Sequence, residues 1–161
     1  MTSYHELNEF GKLGEMWVVQ ELRRRGFVCE WIGKSSDYDL LIEGRARAEV
    51  KAAFCSPRPG NRQPRWQFSL RRHGLLVDED LLFLLCWDGL EVPLATFIIP
   101  GSAVPETLSK IDITSSDPSA YRGQWAVYYE DWAQVNRIVS LLPMPEQLVL
   151  FREQRYEEIP F

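Results

Sequence analysis

Nowhere in the 161 residues does an apolar run approach the eighteen or so needed to cross a bilayer, so no helical membrane span is expected. The N-terminal stretch lacks the apolar centre of a secretory signal. Cysteine is scarce, and Cys29, Cys55 and Cys86 stand too far apart to suggest a disulfide framework or a zinc site. These absences fit a reducing, cytoplasmic setting. Internal repeats and low-complexity segments are missing as well. What remains is an ordinary globular composition, 45% hydrophobic and 12% aromatic, enough for one sizeable core and a single domain over residues 1–161.

The densest pattern lies between Asp37 and Lys51. From Arg45 to Ala52 the alternation is strict, with Arg45, Arg47, Glu49 and Lys51 on one face and Ala46, Ala48, Val50 and Ala52 on the other. A period of two predicts a half-buried strand with one wet face. Asp37, Asp39, Leu41 and Glu43 alternate in the same way with Tyr38, Leu40 and Ile42. With Glu43-Gly44-Arg45 as a three-residue loop and its glycine left-handed, Asp39 falls opposite Glu49 and Asp37 opposite Lys51. Carboxylates facing each other across an antiparallel pair stand about 5 Å apart. At an effective dielectric of 20 they repel by about 3 kcal/mol. A divalent cation would offset that repulsion, and Mg²⁺, which takes one or two carboxylates and keeps several waters, suits such a pair. Lys51 points to the same side, where it could orient a water or neutralise charge on a phosphorane. A solvated hairpin face of mixed charge accounts for the same residues.

Residues 4–25 carry the best helical pattern, with Ser3 as N-cap and Gly26 just past the end. Leu7, Gly11, Gly14, Val18 and Leu22 form its stripe, widened by Phe10 and Trp17. Each internal glycine costs about 1 kcal/mol relative to alanine, which close approach to a sheet would justify. Glu15 borders this stripe, either as a flank residue or as another carboxylate of a metal site.

In combination, Gly11-Lys12-Leu13-Gly14-Glu15, Arg25-Gly26-Phe27, Asp39-Leu40-Leu41-Ile42 and Glu49-Val50-Lys51 resemble the PD-(D/E)XK nuclease superfamily. The order of helix Glu, strand Asp and strand Glu-x-Lys matches, as does the spacing of ten residues from Asp39 to Glu49. The likeness is to the archaeal Holliday-junction resolvases and the intron-encoded endonucleases of that fold. It is good over residues 7–54, looser to residue 87 and weak beyond. The resemblance implies an α/β, restriction-endonuclease-like mixed sheet flanked by helices, with a catalytic core over about residues 4–87 and additional elements over 88–161. It also implies a Mg²⁺-dependent endodeoxyribonuclease, with Mn²⁺ substituting. Carried over, Asp39 and Glu49 are metal ligands, Lys51 is the catalytic lysine, and Glu15 is a helix carboxylate reaching the metal through water. The Val50 carbonyl, between the paired side chains, is a further ligand. The proline of the motif is absent, with Tyr38 before Asp39. Asp37 is the alternative ligand.

Such enzymes often place a polar residue on the next strand, and Gln67 fills that place within Arg65-Trp66-Gln67-Phe68-Ser69-Leu70. An alternating strand with a wet polar face is the plainer account of that run. His73 reads as a surface residue. The chain carries 18 basic against 23 acidic residues, but they are unevenly spread. Residues 1–77 have net charge +4 and residues 78–161 have −9. Between Arg45 and His73 eight basic residues face one acid, Glu49. Arg47, Arg58, Arg62, Arg65, Arg71 and Arg72 are therefore the candidate contacts to DNA. Two other readings stand: a nuclease-like module that binds DNA or a protein without cutting, and a nuclease acting on RNA. A homodimer is expected from the class and from the general frequency of symmetric dimers.

In the second half, Leu81–Trp87 predicts a buried central strand. Asp88-Gly89 predicts a hairpin turn into a strand from Val92 to Ile99. A short helix is expected over 105–110, a strand over 125–129, and helices over 131–141 and from Met144 to about Arg155. Phe83, Trp87, Phe97, Trp125, Tyr128 and Trp132 read as core and interface packing in preference to a base-stacking platform.

Overall fold

The computed structural model describes residues 4–33, 37–70, 80–89 and 91–144. Helix α1 spans Tyr4–Arg24. Its end is set by Gly26, at φ 91°. The Gly26 N–H donates to the Arg23 carbonyl and the Phe27 N–H to the Leu22 carbonyl, both at 3.0 Å. This is a Schellman stop, and Phe27 packs into the core beside Leu22. The expected Ser3 cap lies outside the described residues.

Close approach explains one of the two helix glycines. A Cβ on Gly14 would stand 3.2 Å from Leu85 Cδ1 and 3.3 Å from Ala52 Cβ, whereas one on Gly11 would meet nothing within 4 Å. Gly14→Val should therefore wedge α1 off the sheet and cost about 1–3 kcal/mol. The check is a lowered urea midpoint with unchanged slope; a wild-type midpoint would refute the tight packing.

Seven strands form one mixed sheet: β1 Cys29–Trp31, β2 Leu40–Ile42, β3 Ala46–Ser56, β4 Arg65–Ser69, β5 Leu81–Trp87, β6 Ala95–Pro100 and β7 Lys110–Thr114. β3 is the hub. It pairs antiparallel with β2, parallel with β5, and through Cys55 and Ser56 antiparallel with the start of β4. β1 extends the β2 edge, β6 extends β5, and β7 extends β4. All seven residues of β5 are buried, as its apolar run requires.

Each side of the sheet has its own core. On one, Val18 and Leu22 of α1, with Val135 and Val139 of α2 (Ala133–Leu141), cover Ala48, Val50, Leu81, Phe83 and Leu85. On the other, Trp66 and Phe68 of β4 and Ile111 and Ile113 of β7 fold over Leu82, Leu84, Cys86 and Phe97. Phe83, Trp87 and Trp132 belong to the first core, and Phe97 and Trp125 with Tyr128 to the second, so these aromatics are packing residues.

Several expectations need correction. β6 begins at Ala95, three residues after Val92. The segment 105–110 holds only a turn, closed by the Leu108 N–H on the Pro105 carbonyl, and then enters β7. A single turn cannot bury a face, whereas Ile111 and Ile113 alternate into the core. Residues 125–129 are a 3₁₀ turn over Ala126–Tyr128 with one bridge from Phe97 to Tyr129. The helix expected from Met144 lies outside the described residues. No helix among them is long and apolar enough to cross a membrane.

Candidate active site

The β2–β3 loop is the expected one. The Arg45 N–H closes on the Ile42 carbonyl at 2.9 Å. Glu43 joins Gly44 in the left-handed region, at φ 54° and 63°. Leu40 pairs with Ala48 and Ile42 with Ala46, a register that puts Asp39 across from Glu49. The ladder ends there. Asp37 lies in the bend before β2, so the pairing with Lys51 does not form.

Where β2 stops, the Asp39 side chain takes over as acceptor. Its main chain donates to the Ala48 carbonyl at 3.0 Å, and its Oδ2 accepts the Val50 N–H at 2.8 Å. The N–H and C=O of a strand residue point the same way. The Val50 carbonyl therefore turns toward the edge occupied by the Asp39 carboxylate.

Glu49 and Lys51 project from the other side of β3 to Val50, over the face shared with Leu82 and Leu84. The expectation of a wet face fails here. Glu49 is only 3% exposed, because β4 and β7 fold across that side. A buried carboxylate needs a partner, and the Lys51 ammonium supplies one, with Nζ 2.5 Å from Glu49 Oε1. Asp39 feels the same enclosure. Burial first, then the Glu49 charge, push its carboxyl up to about 7, against the Val50 N–H donation that lowers it. Glu15 and Lys51 add smaller opposing effects.

The seven-stranded mixed sheet with α1 and α2 packed on it has a counterpart among solved structures. A bacterial homing endonuclease, I-Ssp6803I, matches with a TM-score of 0.62 at 17% identity, over 85% of this chain and 94% of its own. The chain shares the fold of that protein. No family model and no curated protein matches it.

Within that fold the other candidates stand outside this pair. Glu15 is turned toward Trp31, whose indole N–H donates to its Oε2 at 2.7 Å. Among the described residues no three Asp, Glu, His or Cys side chains gather as a ready-made cage. The oxygen groups at the β2–β3 edge that could hold an ion are Asp39, Glu49 and the Val50 carbonyl. That set is all oxygen and short of a full shell, which fits Mg²⁺ with its retained waters better than it fits a dedicated protein cage.

Gln67 does not join this group. Trp66, Phe68 and Leu70 face the second core, the side that also bears Glu49 and Lys51, so Gln67 faces away. Its amide donates to Asp112 Oδ1 at 3.0 Å. Arg65 is bound to the same carboxylate at 3.2 Å, and Arg47 lies beside Asp80, its N–H donating to Oδ2 at 2.8 Å. Arg62 is exposed and Arg58 half-buried in the loop between β3 and β4. Arg71, Arg72 and His73 lie outside the described residues. Sequence reading missed Trp31, Asp80 and Asp112. The latter two belong to strand-edge contacts 33 and 45 residues away from their partners, which no local pattern reveals.

Proposed function

We propose that this chain is a Mg²⁺-dependent endodeoxyribonuclease centred on Asp39, Glu49 and Lys51. The observation that carries it is the pair of enclosed carboxylates at the β2–β3 edge, with one lysine on Glu49 and the Asp39 carboxyl raised by burial and its neighbour. A solvated hairpin face would produce neither. Asp39, Glu49 and the Val50 carbonyl would hold the ion, which when bound supplies positive charge against the phosphate. Asp39 is fixed by the Val50 N–H, and Glu49 by its place opposite Leu82 in the β3–β5 ladder. Lys51, half-buried and paired with Glu49, would orient the attacking water and offset charge growing on phosphorus. Arg58 and Arg62 supply backbone contacts from the loop that follows β3.

The test is cleavage of supercoiled plasmid and a four-way junction with Mg²⁺ or Mn²⁺ against EDTA, with structured RNA as a third substrate. Metal-dependent cutting of DNA supports the reading, and cutting of RNA alone would move the substrate class. A protein that neither cuts nor binds either cation would be the binding module instead. The hydrogen bond that ties Glu15 to the Trp31 indole, a use of this carboxylate that needs no ion, is the observation that favours that rival.

Phosphate contact should also show in salt dependence. Arg62→Ala is expected to weaken DNA binding about equally across sequences and to lower the slope of log affinity against log salt by about 1. Fluorescence anisotropy at several salt concentrations reads this directly, and an unchanged slope would remove Arg62 from the interface.

A further inference from the structure

Trp31 is 40% exposed, yet its ring is held from several directions. The Lys12 ammonium lies over it, 5.5 Å from the centroid. Gly33, at φ 80°, lies against the six-membered ring, where a Cβ would make van der Waals contact at 3.4 Å with two of its carbons. The indole N–H meets Glu15 Oε2 at 2.7 Å, a short charge-assisted bond. Trp31 also sits one strand from the carboxylate pair. It pairs with Leu40, the neighbour of Asp39, and the Ile32 N–H donates to the Asp39 carbonyl at 2.8 Å.

These contacts join α1 to the site by a single side chain. Glu15 is on the helix and half-exposed, with a long side chain that would otherwise be free to turn into water. We infer that Trp31 is a positioning residue that fixes the Glu15 side chain on the flank of the site next to Asp39, so that its charge adds to the field drawing a divalent cation to the Asp39–Glu49 pair. This inference rests on the nuclease reading and adds a residue to the same site. Trp31 touches neither phosphate nor ion. It acts through the orientation of Glu15, as groups outside the ligand set commonly do for metal affinity.

The experiment is calorimetric titration with Mn²⁺ of the wild type, Trp31→Phe, Glu15→Gln and the double variant. Phenylalanine keeps a ring at the position and deletes the N–H. Each single change is expected to weaken Mn²⁺ binding about tenfold, and the double variant should be no weaker than either one. Wild-type affinity in Trp31→Phe, or in Glu15→Gln, would overturn the inference. So would losses that multiply, since residues acting as one unit do not add. The Trp31 indole ¹H–¹⁵N peak, assigned by its loss in Trp31→Phe, should shift in Glu15→Gln, and a stationary peak means that the contact is absent in solution. A wild type that binds no Mn²⁺ while that peak still responds to Glu15→Gln overturns the nuclease reading itself.

Discussion

A Lys51→Ala protein is expected to fold and to bind DNA while cutting it at least about a hundredfold more slowly, the usual effect of removing one group that stabilises developing charge. The ammonium stands against Glu49, on the side of β3 where the carboxylate is buried. Its removal takes away the ammonium paired with that carboxylate, and leaves the Asp39–Glu49 repulsion less balanced. The folded protein should therefore lose stability too, but only by about 1–2 kcal/mol, because the lysine is 28% exposed and its attraction is partly screened. A saturating ion should restore most of that loss by taking over the charge balance. Cleavage should stay lost, because the ion does not replace the amine near phosphorus. The pattern to look for is a melting temperature recovered by Mg²⁺ beside a single-turnover rate that is not. Lys51→Arg keeps the charge on a planar fork instead of a compact ammonium, so partial recovery is expected. Cleavage by Lys51→Ala at the wild-type rate would remove the lysine from the mechanism.

Much of this site is legible in the sequence because it depends on a local rule. A three-residue loop and a period of two bring residue 39 opposite residue 49, and the register follows without any knowledge of the rest of the chain. Gly26 likewise announces the end of α1, and the apolar run of β5 announces its central place. What local pattern could not give was the second layer. The alternation of Arg47, Glu49 and Lys51 looks like a wet face, and only the folding of β4 and β7 over that side makes Glu49 a buried acid. The same layer decides the orientation of Gln67. Its alternation with Trp66 and Phe68 was correctly read, but the face it occupies depends on where β4 turns, and β4 turns its aromatic side to the core. Trp31 was invisible for a related reason. A tryptophan in a three-residue edge strand carries no periodic signal, and its link to Glu15 crosses from strand to helix over 16 positions.

Asp39→Asn should give the opposite thermodynamic sign to most substitutions at a buried polar position. The folded protein holds the Asp39 carboxyl at about 7, against an ordinary value of 3.8, mainly through burial and the Glu49 charge. Between those two values the folded chain keeps a proton that the unfolded chain releases. Stability from this group is therefore present below the lower value and is lost as pH rises through the upper one. Asparagine cannot ionise, and its carbonyl oxygen can still accept the Val50 N–H. In EDTA above pH 7 the variant should thus be more stable than the wild type, by roughly 2–4 kcal/mol after allowance for partial exposure. The gap should close as pH falls toward 4. Mg²⁺ should raise the wild-type melting temperature at pH 8 and leave the variant unmoved, because an ion that binds only the folded wild type stabilises only that protein. Cleavage by the variant should be undetectable. Thermal melts across pH 4–9, with EDTA and with Mg²⁺, read all of this on one sample pair. A variant less stable than wild type at pH 8, or equally stabilised by Mg²⁺, would mean that Asp39 is no strained ion ligand but a plain structural acceptor for Val50.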